Sequence, residues 1–128
     1  IERILAHFET LEHALVREQL GLNLRAVISQ RLVKTADRKG RLAALELLVV
    51  NAVVKKLILD NRVAEIHGVM TTREEGMQIM DQALGDFVRA KSVEFEEAAK
   101  YCNDYYTLRR FVQGVGSSGD RGGILGGG

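Results

Sequence analysis

Two short runs with strand-like patterns lie between segments of helical periodicity, and this order limits the folds open to the chain. Residues 26–34 alternate in side-chain direction at period two, which is typical of a strand. The polar stretch 35–40 ends in glycine, as a turn between two strands does. We interpret the Leu- and Val-rich run 41–50 as a second strand, although residues 42–48 could also form a helix. Because two strands rarely make a stable sheet alone, we expect both at the edge of a larger sheet.

Helical periodicity predicts helices on both sides of this strand pair. An apolar stripe through residues 2–25 predicts one helix or two consecutive helices, and further stripes follow over 52–60 and 63–70. Thr71 or Thr72 is predicted to begin the next helix, because each is followed three residues later by a glutamate, which is the spacing of a capping box. Ser92 is predicted to cap a last helix that extends to about residue 111.

The chain changes composition near its end. More than half of the residues from Gly114 onward are glycine, and they carry no apolar face, so residues 113–128 are predicted to form a flexible tail. Gly114, Gly116 and Gly119 match the G-x-G-x-x-G pattern of dinucleotide-binding loops. That motif needs a strand before it and a helix after it. Since neither is predicted here, we interpret the match as coincidental.

Charge and hydropathy exclude several classes of function. The net charge is +1 and acidic and basic residues are interleaved, which predicts no nucleic-acid partner. No apolar run approaches the roughly 20 residues that span a bilayer, which predicts no membrane insertion. Cys102 is the only cysteine, so we expect no internal disulfide and a half-buried helix position in a reducing compartment. The first residue is Ile rather than Met, which suggests a piece of a longer protein.

No motif predicts a catalytic, cofactor-binding or metal site. There is no G-x-x-x-x-G-K-[ST] loop to hold phosphates. The three histidines are not paired at metal-ligand spacing, and Ser29 has no accompanying His and Asp. The methionines at 70, 77 and 80 are interpreted as core residues, and Lys55 and Lys56 most simply as a solvated helix face.

Three short sequence motifs, referred to below as strings, are nevertheless unusual and specific. The first string is residues 22–32, which include Ser29, Gln30 and Arg31. The second is residues 37–41 together with Glu46. The third string, 76–84 followed by 95–98, contains Gly76, Met77, Gln78, Asp81 and Gln82. In order and spacing these strings resemble the PilT/PilU family of type IV pilus retraction ATPases, within the secretion ATPase superfamily. The resemblance covers about residues 1–112. Within it, residues 22–25 and 104–110 resemble the PilU branch of the family slightly more than the PilT branch.

The resemblance implies an α/β, RecA-like parent protein with an N-terminal PAS-like domain and a C-terminal ATPase domain. This segment would be mostly α-helical, with its two strands at the edge of the larger sheet. Residues 1–50 would end the ATPase core, 51–112 would form a C-terminal helical subdomain, and 113–128 the tail. The family works in twitching motility as homo-hexamers in the cytoplasm, peripheral to the inner membrane at the pilus base. ATP and Mg are its cofactors, and an inner-membrane platform protein and a related retraction ATPase are its candidate partners. The family's phosphate-binding residues precede the matched region, so the segment alone is predicted to be inactive.

A helix that the family links to retraction is matched loosely by residues 53–60. Its apolar residues 53, 54, 57 and 58 are expected to face the core. Lys55, Lys56 and Asp60 are then expected to face outward and form a candidate coupling surface. Glu9 and Ala52 stand where the family often has proline, and Arg38 stands where it usually has glycine.

Two other interpretations stay open. Pilus-assembly and type II secretion ATPases share the string 30–33, but they continue into a zinc module with four cysteines. Residues 34–40 contain no cysteine, which favours the retraction branch. The chain could also be a stand-alone helical regulatory or adaptor module.

Overall fold

A computed structural model describes residues 1–114, and its elements follow the predicted order of helices, two strands and helices. The regular elements are α1 (Glu2–Leu5), α2 (His13–Asn23), β1 (Ala26–Lys34), β2 (Arg41–Val49), α3 (Ala52–Leu59), α4 (Ile66–Met70), α5 (Met80–Arg89), α6 (Phe95–Ala99) and α7 (Tyr105–Val112). Short 3-10 turns occupy Thr10–Glu12, Val63–Glu65 and Glu74–Gly76. The tail predicted for 113–128 lies, from residue 115 onward, outside the described residues.

The strand pair is confirmed, and the helical alternative for 42–48 is wrong, because β1 and β2 form a two-stranded antiparallel sheet. The turn between them is held by Asp37, which accepts hydrogen bonds through Oδ1 from the Thr35 hydroxyl at 2.6 Å and the Lys39 N–H at 2.9 Å. The Thr35 bond, followed by that of Lys39, lowers the pKa of the Asp37 carboxyl. Arg38, which replaces the usual glycine of the family, adopts the left-handed conformation with φ of 62°.

Apolar side chains on both faces of β1 are open to solvent. Every residue of β1 except Val33 is exposed, including Ile28 at 65% and Leu32 at 49%. Val27, on the opposite face, is 40% exposed. A strand that is apolar on both faces is typical of a sheet covered on both sides by helices. The described residues therefore present the margin of a larger sheet, as the strand pattern predicts.

Two compact units alternate along the chain. The first comprises Ile1–Ile28 and Leu47–Gln78, and the second comprises Ser29–Glu46 with the described residues from Ile79 onward. Buried residues of the first unit include Leu5, Leu48, Val54, Leu57, Ile58, Ile66, Met70 and Met77. The core of the second unit consists of Val33, Ala44, Met80, Ala83, Leu84, Val93, Ala98 and Leu108. The functional division at residues 50/51 remains a prediction.

The helix predicted to start at Thr71 or Thr72 does not form there. Both hydroxyls donate backwards, to the carbonyls of Gly68 and Val69 at 2.7 Å, and so they finish α4 instead of opening a helix. Arg73 then takes a left-handed conformation with φ of 61°. The next helix, α5, starts at Met80.

The last predicted helix is two helices, and Ser92 caps neither of them. The N-cap of α6 is Glu94, without a side-chain hydrogen bond, and the backbone carbonyl of Ser92 accepts from the Ala36 N–H at 2.8 Å. Asp104 caps α7, since its Oδ1 accepts from the N–H groups of Tyr106 and Thr107. The capping prediction therefore identified the wrong residue.

Candidate functional site

The start of α3 is fixed by Asn51. Its side-chain oxygen accepts a hydrogen bond from the Val54 N–H at 3.0 Å, which satisfies one of the free amides of the first turn. The amide of Asn51 also donates to Glu75 Oε1 at 3.5 Å. Helix α3, the candidate coupling helix, is thereby anchored at its first turn.

One side of α3 is buried, as predicted for three of its four apolar residues. Val54 and Ile58 are 0% exposed and Leu57 is 7% exposed. The prediction was wrong for Val53, which is 56% exposed. At about 100° per residue, Val53 lies about 90° round the helix from the centre of the buried stripe, so it lies at the margin of the stripe.

The candidate coupling residues do not all face solvent. Lys56 and Asp60 are exposed, as predicted, and Asp60 occupies the C-cap of α3. Lys55 is half-buried, which corrects the prediction that it faces outward. Lys55 lies at the other margin of the buried stripe, where the carbon stem of a lysine can cover apolar neighbours.

Beside α3 lies an open groove of about 580 Å³ that the sequence patterns did not predict. It is lined by Val53, Lys56, Leu57, Arg62, Glu65, Gly68, Val69, Thr72 and Glu74. The one sequence signal for it is Gly68, a glycine inside a predicted apolar stripe.

Arg62 and Glu65, at the wall of this groove, neutralise each other. Arg62 donates from Nε to Glu65 Oε2 at 2.5 Å and from Nη2 to Oε1 at 2.7 Å. These hydrogen bonds, reinforced by the opposite charges, raise the pKa of Arg62 and lower the pKa of Glu65. Such an exposed pair adds little stability.

The family-motif residues fall into three groups. Ser29, Gln30 and Arg31 are exposed along β1. Gly76, with φ of 81°, lets the chain turn into the buried Met77. Gln78 then pairs with Leu47 in an antiparallel bridge, with N···O distances of 2.9 and 3.1 Å.

Asp81 and Gln82 form the third group, and both are buried structural residues, 2% and 3% exposed. Asp81 accepts hydrogen bonds from the N–H groups of Asn103 and Asp104. Gln82 Oε1 accepts from the Ile79 N–H at 3.1 Å, which satisfies a free amide at the start of α5. These side chains therefore organise the fold, and their use in recognition remains a prediction.

Cys102 is half-buried, as predicted, but it lies between α6 and α7 instead of inside a helix. Its thiol donates to the Ala99 carbonyl at 3.3 Å. Burial, followed by the nearby charge of Asp81, raises the pKa of the thiol, which disfavours the reactive thiolate.

Among residues 1–114, no group of three or more His, Cys, Asp or Glu side chains could hold a metal ion. No helix in the same range is long and apolar enough to cross a membrane.

Comparison with known proteins identifies several relatives that are named as pilus motor proteins, although no family model matches the chain. It is 41% identical over 101 residues to a twitching motility protein of Neisseria gonorrhoeae, a match covering 78% of this chain. It is 35% identical over 121 residues, 94% of this chain, to the type IV pilus ATPase PilU of Pseudomonas aeruginosa. To the retraction ATPase PilT of the same organism it is 33% identical over 99 residues, 77% of this chain.

Solved structures show a matching fold. The crystal structure of the pilus retraction motor PilT with bound ADP superposes with a TM-score of 0.76 at 29% identity, over 85% of this chain and 30% of that one. The DotB ATPase of Legionella pneumophila superposes with a TM-score of 0.62 at 20% identity, over 77% of this chain and 27% of that one. The second likeness concerns the fold alone.

The chain spans 27% to 31% of the length of these three curated relatives. The sequence match to PilU and the structural match to PilT each cover most of this chain. Over that segment, this chain belongs to the PilT/PilU family of type IV pilus retraction ATPases.

Proposed function

We propose that this chain is the C-terminal part of a hexameric motor ATPase that powers type IV pilus retraction. The observation that carries the proposal is its similarity to PilU over 94% of its length, together with the PilT-like fold. The apolar, uncovered faces of β1 support it, because they need the remaining strands and helices of a larger domain.

In this proposal the segment transmits conformational movement, and other parts of the motor bind and hydrolyse ATP. By resemblance, ATP and Mg are bound by parts of the motor that precede the matched region. Residues 1–50 end the ATPase core and 51–112 form the helical subdomain. The assembled hexamer works in the cytoplasm, peripheral to the inner membrane, against a platform protein at the pilus base and with a related retraction ATPase as a further partner.

Helix α3 is the proposed coupling element. Its buried face and the Asn51 cap hold it rigidly in its unit, while Lys56 and Asp60 face solvent. Charged side chains on a rigid helix suit a partner surface of complementary charge. Lys55 contributes less to this surface than Lys56, because it is half-buried.

Two experiments test the proposal. The reading frame upstream of Ile1 should encode G-x-x-x-x-G-K-[ST], which a stand-alone adaptor would lack. Deletion of the whole gene should abolish retraction while leaving surface pili in place, whereas loss of an assembly ATPase would remove the pili. Normal retraction in the deletion strain would contradict the proposal.

A further inference from the structure

We infer that the groove between α3 and α4 is a docking site for an apolar helix of a partner protein, with a carboxylate of that helix opposite Lys56. The inference rests on the proposed function, in which α3 is the coupling element. It specifies where the partner binds and what chemistry the partner presents. The groove belongs to one compact unit, so its walls are set within that unit.

Gly68 borders open space. A Cβ built on Gly68 would meet nothing within 4 Å, although the residue lies in the middle of α4. The other two helical glycines of the described chain are explained by internal packing. A Cβ on Gly21 would lie 2.6 Å from Leu59 Cδ2, and one on Gly85 would lie 3.0 Å from Phe111 Cβ.

A glycine inside a helix costs stability relative to alanine, about 1 kcal/mol. At Gly21 and Gly85, close packing within the chain accounts for that cost. At Gly68, no atom of the described chain lies close enough to account for that cost. A glycine at this point allows the backbone of another molecule to approach α4 closely, as small residues do at helix crossings.

Part of the groove lining is apolar. The groove is lined by Val53, which is 56% exposed, by the buried Leu57 and by the half-buried Val69. An exposed valine beside an open groove leaves apolar area in water that a partner could cover. The volume of about 580 Å³ accommodates a few side chains of a helix laid along it.

The charged residues that line the groove are only partly paired. Arg62 and Glu65 pair with each other, whereas Lys56 forms no ion pair with any residue in the range 1–114. Lys56 thus lines the groove with a positive charge that is not held in an ion pair, and Glu74 lines it with a negative charge. A partner helix with a carboxylate near Lys56 and a cation near Glu74 would be held in one orientation.

The test uses the full-length protein and, as probe, the purified cytoplasmic domain of the pilus platform protein of the same organism. Gly68→Leu fills the groove, and His67→Leu adds the same side chain at the neighbouring exposed position outside the groove. Calorimetry should show that Gly68→Leu weakens binding by about tenfold or more, and that His67→Leu changes it by less than about twofold. Val53→Asp, at an exposed position, should weaken binding similarly and serves as the second variant.

Each other outcome is decisive. Unchanged binding by Gly68→Leu and Val53→Asp, or no binding by the wild-type protein, would overturn the inference. Loss of self-assembly in place of platform binding, measured by light scattering, would mean that the groove takes a second copy and would also overturn it. ATP hydrolysis by the wild-type protein is measured separately. Its absence would contradict the proposed function, while the calorimetry would still decide on the groove.

Discussion

Asp81 and Asn103 are joined by a hydrogen bond of 2.7 Å between the Asp81 Oδ1 and the Asn103 N–H. The second carboxylate oxygen of Asp81 accepts from the Asp104 N–H at 3.1 Å. Asp104 in turn caps α7 through its own side chain. A buried carboxylate in the first turn of α5 thus holds the loop that starts α7, so one family-motif residue connects these two helices.

Replacing Asp81 by asparagine should destabilise the fold. An amide has one acceptor oxygen, and its NH2 group would face a backbone N–H that also donates. One part-buried donor would lose its partner, which lowers the free energy of unfolding by about 1 kcal/mol. Urea denaturation measures this loss. Glu96→Gln, an exposed change in the same unit, is the control and should stay within about 0.5 kcal/mol. Equal stability of the two variants would contradict the assigned role.

Leucine at two helical glycines should have different effects. Gly85→Leu forces a side chain into Phe111, whose Cβ lies 3.0 Å from the position of a new Cβ, and should cost about 1–3 kcal/mol. Gly68→Leu enters open space and removes a glycine from a helix, so it should be neutral or stabilising by up to about 1 kcal/mol. Melting temperatures of both variants check this. A Gly68→Leu protein that unfolds as early as Gly85→Leu would refute the open geometry.

Glu97 should make stability depend on pH. Its carboxylate binds Lys100 Nζ at 3.1 Å and accepts from the Lys34 N–H at 3.3 Å, and the Lys100 bond, followed by that of Lys34, lowers its pKa. A carboxyl whose pKa is depressed in the folded state stabilises the fold above its unfolded pKa of about 4.3. That contribution is lost as pH falls through the lower folded pKa. The stability difference between wild type and Glu97→Gln, from urea titrations, should therefore shrink between about pH 6 and about pH 3. A difference that stays constant over this range would count against the interaction.

Local patterns were enough to predict the strand pair and the presence of helices on both sides of it. The limits of β1 follow from period-two alternation and from a turn whose polar residues satisfy one another. Capping was harder to predict, because a threonine can bond forward to open a helix or backward to finish one, and Thr71 bonds backward. The roles of Asp81 and Glu97 depend on partners 22 and 63 residues away. The groove at Gly68 depends on which side chains the folded chain leaves exposed to solvent. The hydrophobic periodicity of the sequence does not predict that.

The chain by itself should not bind ATP tightly or hydrolyse it. The sequence contains no loop whose amides and lysine could hold phosphates. Calorimetric titration of the 128-residue chain with MgATP should give no measurable heat of binding at micromolar concentrations. A micromolar dissociation constant would show that the segment has a nucleotide site of its own.

The most direct test of the proposed motor role is pilus retraction by the full-length protein carrying Lys56→Glu. Lys56 is exposed, so the change should alter the free energy of unfolding by about 0.5 kcal/mol or less and leave hexamer assembly intact. Lys39→Glu, at an exposed position in the strand turn, is the matched control. The measurement is the retraction of single pili in living cells. The account predicts that retraction is lost with Lys56→Glu and kept with Lys39→Glu, and normal retraction in the Lys56→Glu strain would contradict it.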